Sequence, residues 1–289
     1  MHLFEYSNST NLGDDIQTLA AGQHLDQIDG YVDRDHASTA CADHEFALVM
    51  QGWFTKNPDV FPLAAHIRPI WIGFHLTPTR EELLRRPDVR EFLVSTGPIG
   101  CRDQPTVEIL RRHDIDAYLT GCLTTTFPLR DRVPDDGRVF LVDTGGVPLP
   151  DHLRGPDAVR ITHEGASWWP LETKRALAAR LLSLYRDEAR LVVTTRLHCA
   201  LPCVAMGIPV IFVGDGDEGR LQPIQGLAEV IDFPPELRSE RLTIRARRKA
   251  LWWRELRDRP WEGFALDIED RKTEIVARLR DALAEAGAS

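Results

Sequence analysis

The stretch Val192–Gly214, VVTTRLHCALPCVAMGIPVIFVG, sets Arg196 and His198 directly behind an apolar run and at the opening of a helical period. A guanidinium keeps its charge and offers a planar fork to a carboxylate or phosphate. An imidazole exchanges protons near neutrality. A helix start contributes unpaired amide groups and positive potential. Together these predict an anion seat with a proton-handling group beside it. Gly207 followed by Pro209 stops the helix, and Pro202 is expected to bend it or loosen its second turn.

Three other blocks carry candidate chemistry. In GPIGCRDQPTVEILRRHDI, residues 97–115, Arg102 follows a short strand, Asp103 reads as an N-cap and Pro105 suits the first turn. Arg102 reads either as a ligand contact or as half of a surface ion pair. GCLTTTF, residues 121–127, either offers hydroxyls to a ligand or closes a loop. NLGDDIQTLAAGQHL, residues 11–25, opens a helix after the first strand. Gly13 permits a tight turn, Asp14 is expected to cap the helix, and Asn11, Gly13 and Asp14 are candidates to meet ligand hydroxyls. The block is not GxGxxG, so it gives no support to dinucleotide binding. His163, in ITHEGASWWP, is a further acceptor candidate.

Short apolar runs must position these groups. Candidate strands are His2–Tyr6, Phe46–Met50, Pro69–Phe74, Pro98–Cys101, Ala117–Leu119, Val139–Val142, Ala158–Ile161, Leu191–Thr194 and Val210–Val213. Candidate helices are Asp14–Leu25, Thr79–Val94, Gln104–His113, Leu171–Asp187, Leu197–Met206, Ser239–Asp258 and Ile268–Ala286. Continuous apolar strands alternating with helices predict an α/β protein with mainly parallel sheets covered on both faces. The polar stretch Pro128–Arg138, with two prolines and a glycine, reads as a linker between two Rossmann-like domains. The expected division is 1–132, the acceptor side, and 133–289, the donor side, facing each other across a cleft.

Composition narrows the partners. A formal net charge of -9 argues against a general nucleic-acid surface, so an anionic ligand needs a local basic pocket. The five cysteines are odd in number and form no CxxC, which reads as reduced, buried thiols. Cys199 and Cys203 share a helix face but lack further ligands nearby in sequence, so no metal is expected. MHLFEYSNST lacks the basic start and apolar run of a signal peptide, and no run approaches ~20 apolar residues. The expectation is a cytoplasmic protein. RARRKALWWREL, within Arg238–Trp261, reads in two ways: a peripheral contact with the inner face of the membrane, or a helix packing Trp252 and Trp253 into its domain.

NLGDD, GCRDQPT with GCLTTT, and TTRLHCALPCVAMGIPVIF, in that order over most of residues 8–230, resemble the polysaccharide pyruvyltransferases. PIGCRD, GCLT and RLHCALPC look like one branch of that family. The resemblance implies a fold similar to that of GT-B glycosyltransferases, with the last helix crossing back to the first domain. It implies transfer of a pyruvyl group from phosphoenolpyruvate to two sugar hydroxyls, giving a cyclic ketal and phosphate, with no cofactor besides the donor. It associates Arg196, His198 and Arg102 with donor binding and catalysis. Many members carry a lysine in the loop after the GIP strand; here that loop is GDGDEGRLQP, with Arg220 its only cation and the remaining donor-side candidate. For this chemistry His198 is the expected general acid, and Asp14 or Asp103 the expected base. Rival readings are a GT-B-like glycosyltransferase using a nucleotide sugar and a non-catalytic glycan-binding relative. The first reading expects the two guanidinium groups and the imidazole to converge on one anion pocket.

Overall fold

The computed structural model describes residues 1–54, 58–145, 147–214, 222–231, 251–256 and 259–286. Contacts divide the chain into two compact units. Unit 1 gathers residues 1–127, 164–179 and 268–289; unit 2 gathers 128–163 and 180–267.

Unit 1 contains β1 (His2–Glu5), α1 (Leu12–Gly22), β2 (Gly30–Asp33), β3 (Phe46–Val49), β4 (Gly52–Trp53), β5 (Ile67–Ile70) and β6 (Phe74–His75). It continues with α2 (Pro87–Thr96), β7 (Ile99–Cys101), α3 (Gln104–Arg112) and β8 (Ala117–Leu119). The strands pair in parallel as β2-β1-β3-β5 and β4-β6-β7-β8. Met50 N–H to the Ile70 carbonyl carries β3–β5 pairing on toward β4–β6, so strand order runs outward in both directions from β1. The expected strand Pro69–Phe74 is therefore two strands, interrupted over residues 71–73. Gly100 explains the close approach there: a Cβ on it would stand 2.3 Å from the Trp71 carbonyl oxygen.

The expected helix over 79–94 is also divided, into a 3-10 segment Pro78–Arg85 and α2. Arg86, which precedes Pro87, is extended at φ -72° and ψ 122°, as the proline ring demands of its predecessor. Three strands escaped the sequence reading: β2, β4 and β13 (Glu229–Ile231). They are short, and none carries a continuous apolar run.

Unit 2 contains β9 (Arg138–Val142), β10 (Ala158–Ile161), β11 (Ala189–Thr194), α5 (Leu197–Ala205), β12 (Val210–Val213) and β13. All pair in parallel in the order β10-β9-β11-β12-β13. Val139–Val142 and Val210–Val213 are buried throughout, as continuous apolar runs require of strands covered on both faces. Residues 128–137 are not a loose tether to this unit: Arg130 is buried and donates to the carbonyls of Ala189 and Gly207. Residues 251–256 are helical; Trp252 is buried in this core, whereas Trp253 is exposed, so only one of the tryptophan pair packs inward. The rest of the basic stretch at 238–250 lies outside the described residues.

Helix α4 (Leu171–Glu188) contributes its first half to unit 1 and its second half to unit 2. Helix α6 (Glu269–Glu285) belongs to unit 1, where Ile275 and Leu279 pack with Leu3, Ala20, Ala21 and Val49. No described helix is long and apolar enough to cross a membrane.

Candidate functional site

In a parallel sheet, ligands collect outside the carboxyl ends of the strands where strand order reverses. Unit 2 reverses between β9 and β11, and Arg196 stands at that point. Its Nε donates to Asp143 Oδ2 at 2.8 Å. Asp143 follows β9 directly, sits at φ 52°, and also accepts the backbone N–H of His163, which follows β10, at 2.9 Å. Burial alone would raise its pKa; bonds from Thr162, His163 and Arg196 outweigh this and hold the carboxylate below its ordinary range. Thr195 Oγ1 donates to the Asp143 carbonyl, and Thr194 Oγ1 accepts the Arg196 N–H. The Thr-Thr-Arg sequence is thus a set of ties among the ends of three strands. Asp143 escaped the sequence reading, although VFLVDTGG repeats the signal of an apolar strand ending in a polar turn.

His198 is the second residue of α5 and is buried. Pro202, four residues on, has no N–H for the His198 carbonyl, and its ring crowds that oxygen. His198 accordingly leaves helical geometry, at φ -85° and ψ 16°. The expected loosening falls on the candidate acid itself.

His163 is fully buried, stacked on Tyr185 and bonded to its hydroxyl through Nε2 at 2.8 Å. Cys199 and Cys203 are fully buried in the same cluster. Burial would raise the Cys199 thiol, but bonds with Cys203, His163 and Thr194 pull it down; burial pushes Cys203 and Tyr185 up. This packing encloses the His163 ring and leaves it no face for an acceptor sugar. Among the described residues no three His, Cys, Asp or Glu side chains are grouped to hold a metal ion. Arg220 lies outside the described residues.

Unit 1 reverses strand order between β1 and β3, and the NLGDD block follows β1. Asn11, not Asp14, caps α1: its Oδ1 accepts the Gly13 N–H at 3.1 Å, because the helix starts two residues earlier than expected. Asp14 lies in the first turn, half-buried, accepting from Ser9 Oγ at 2.6 Å and Gln17 Nε2 at 3.2 Å. Two groups invisible in the local sequence pin this loop. Lys174 of α4 is buried and donates to the carbonyls of Tyr6, Ser7 and Ser9 at 2.5, 3.4 and 3.3 Å. Glu164 forms a bridge with Asn11, and the Gly165 N–H donates to the Thr10 carbonyl.

Arg102 and Asp103 stand at the carboxyl end of β7, away from that reversal. Arg102 is buried, and its Nε lies 3.4 Å from Asp103 Oδ2. Asp103 caps α3 as expected, Oδ1 accepting the Thr106 N–H at 3.0 Å and its hydroxyl at 2.7 Å. Its Oδ2 meets His75 Nδ1 at 2.6 Å, a partner that sequence did not suggest. Fully buried and spent on these partners, Asp103 offers no oxygen to an acceptor. The hydroxyls of GCLTTTF close a 3-10 turn: Thr125 donates to the Cys122 carbonyl and Thr126 to that of Leu123.

The model of the polysaccharide pyruvyl transferase family matches residues 11–217. The chain belongs to this family. The match starts at the α1 cap and runs past β12, so the Asn11, Arg102, Arg196 and His198 blocks all fall within it. No curated protein matches the chain. Among solved structures, a functionally uncharacterized protein from Klebsiella pneumoniae subsp. pneumoniae is similar at a TM-score of 0.51 and 14% identity, over 81% of this chain and 93% of its own. A UDP-N-acetylglucosamine 2-epimerase is similar at a TM-score of 0.44 and 10% identity, over 100% of this chain and 96% of its own. The family membership makes the protein a transferase of the pyruvyl-transfer class; the Klebsiella structure shares the fold.

Proposed function

We propose that the protein transfers a pyruvyl group from phosphoenolpyruvate to two hydroxyls of a glycan, forming a ketal and releasing phosphate. The observation that supports this best is Arg196, held through Nε by Asp143 at the strand-order reversal of unit 2, beside the first turn of α5. A fixed guanidinium next to helix amide groups suits a donor that carries both a phosphate and a carboxylate. Arg102 is the second donor-binding group in this reading.

The reaction needs a proton on C3 of the enol while a hydroxyl oxygen bonds to C2. The C2–O bond to phosphate then breaks with its electron pair leaving on phosphate, and the second hydroxyl closes the ring as its proton passes to the departing phosphate. His198 supplies the C3 proton in this reading. In this reading the protein is cytoplasmic and works at the inner face of the membrane.

Phosphate release and pyruvylated product should both appear when the full chain is given phosphoenolpyruvate with glycan fragments. Arg196→Ala should raise KM for phosphoenolpyruvate and lower kcat/KM by about 10²–10³-fold, the scale of one lost charge-stabilising donor. Thermal stabilisation by nucleotide sugars and none by phosphoenolpyruvate would replace this reading with glycosyl transfer.

A further inference from the structure

We propose that Arg102 and Arg271 form an oxyanion seat wholly within unit 1, at the carboxyl ends of β7 and β8, for the phosphate or carboxylate of a small ligand. Three stretches of the chain meet there, around Cys122. The N–H groups of Thr120 and Gly121, just past β8, both donate to the Cys101 carbonyl, at 2.8 and 3.2 Å. This lays Cys122 beside Arg102, the residue that follows Cys101. Helix α6 closes the other side. A Cβ on Gly121 would stand 2.9 Å from Ile275 Cδ1, and Ile275 packs with Leu123. Arg271 lies one turn before Ile275 on the same face of the helix. The two guanidinium groups thus flank Cys122, and the charge of each interacts with that buried thiol.

Neither cation is fully balanced within the protein. Arg271 makes no hydrogen bond or ion pair among the described residues. On its own helix Glu269 pairs with Lys272 at 2.6 Å, Glu274 pairs with Arg278, and Asp270 is exposed to solvent. Burial lowers the Arg271 pKa, the direction expected of a guanidinium taken out of water. Arg102 is 4% exposed, and its side chain makes one long bond, Nε to Asp103 Oδ2 at 3.4 Å. His75 Nδ1 holds that oxygen more closely, at 2.6 Å. The two terminal nitrogens of Arg102 have no partner among the described residues and are not sealed from solvent. Withdrawing a cation from water without a counter-charge is costly. A chain of net charge -9 has carboxylates to spare, so two unmatched forks side by side suit an anion that arrives from outside. In the pyruvyl-transfer reading Arg102 meets the donor; that the anion is phosphoenolpyruvate rests on that reading, whereas the seat itself does not.

The competing role for Arg271 is structural, its methylene stem packing α6 onto unit 1. Arg271→Gln keeps much of the stem and removes the charge. Orthophosphate, phosphoenolpyruvate and a nucleotide sugar are each titrated into the full chain by calorimetry, in an Arg196→Ala background so that the guanidinium of unit 2 does not contribute. Orthophosphate and phosphoenolpyruvate should bind, and Arg271→Gln should weaken both by about 10–10²-fold, the scale of one hydrogen bond to a charged group. Arg271→Lys should fall in between, since it keeps the charge and loses the fork. Without ligand, Arg271→Gln should melt at or above the temperature of the parent protein, because the unmatched cation is gone. In the wild type, orthophosphate should shift the Arg271 Nε nitrogen-15 resonance, a measurement that needs no variant to fold. Absence of binding, unchanged affinity in Arg271→Gln or an unmoved Arg271 resonance would overturn the seat. Arg271-dependent binding of phosphoenolpyruvate with no pyruvyl transfer by the wild type would remove the pyruvyl-transfer reading and leave the seat standing.

Discussion

Asp15 provides a stability experiment whose sign can be worked out in advance. It occupies the first turn of α1, is 1% exposed, and has no side-chain hydrogen-bond partner among the described residues. Burial raises its pKa from 3.8 to about 7, opposed by the charges of Lys174 and Arg175 and reinforced by that of Asp14. The native state therefore holds this proton more tightly than the unfolded chain does. Below about pH 4 both states are protonated and Asp15 costs nothing; above about pH 7 both are ionised and the full burial cost is present. At about 1.4 kcal/mol per pH unit, a displacement of this size corresponds to roughly 4 kcal/mol. Asp15→Asn is nearly isosteric and removes the ionisation. Urea unfolding of both proteins should give equal stabilities near pH 4, with the variant gaining steadily to roughly 4 kcal/mol near pH 8. Other titrating groups are common to the two proteins and cancel in the difference. A difference that does not change with pH, or a variant less stable at pH 8, would refute the assignment of the cost to a buried, ionising Asp15.

Two further substitutions probe the supports of the two strand-order reversals. Lys174→Met should cost about 3–5 kcal/mol, since it strips three carbonyls of their donor and leaves Asp15 without the stronger of its two opposing positive charges; thermal melts should show part of this loss recovered in the double variant Asp15→Asn/Lys174→Met. Pro202→Ala supplies an N–H to the His198 carbonyl and lets that residue return to helical geometry; melting temperature should hold or rise while kcat falls by about 10²-fold, the cost of an ångström-scale misplacement.

Much of the fold could be read from the chain because a parallel strand buried on both faces writes itself as an uninterrupted apolar run. VFLV and VIFV are such runs, and both are strands within a residue of the expected bounds. Strands that lack this signature went unseen: Gly30–Asp33 is only partly buried, and Gly52–Trp53 is two residues long. The breaks at residues 71–73 and at Arg86 followed different rules. The second was legible, because a proline restricts the residue before it. The first depends on the Trp71 carbonyl approaching Gly100, two positions that only the folded sheet brings together.

The same distinction governs the site. Arg196, His198, Arg102 and Asn11 were legible as candidates because each is a polar residue following an apolar run, and strand ends are written locally. What holds them is not. Asp143 lies 53 residues before Arg196, and Lys174 lies 168 residues after Tyr6. His75 lies one residue beyond the expected strand Pro69–Phe74; only the Phe74–Cys101 register brings it level with Arg102. A sequence therefore names polar groups at strand ends more readily than the carboxylates and ammonium groups that hold them. Lys174 and Asp103 are also buried, where an unpaired charge is costly. Substitutions at Asp143, Lys174 and Asp103 should consequently disturb both stability and chemistry.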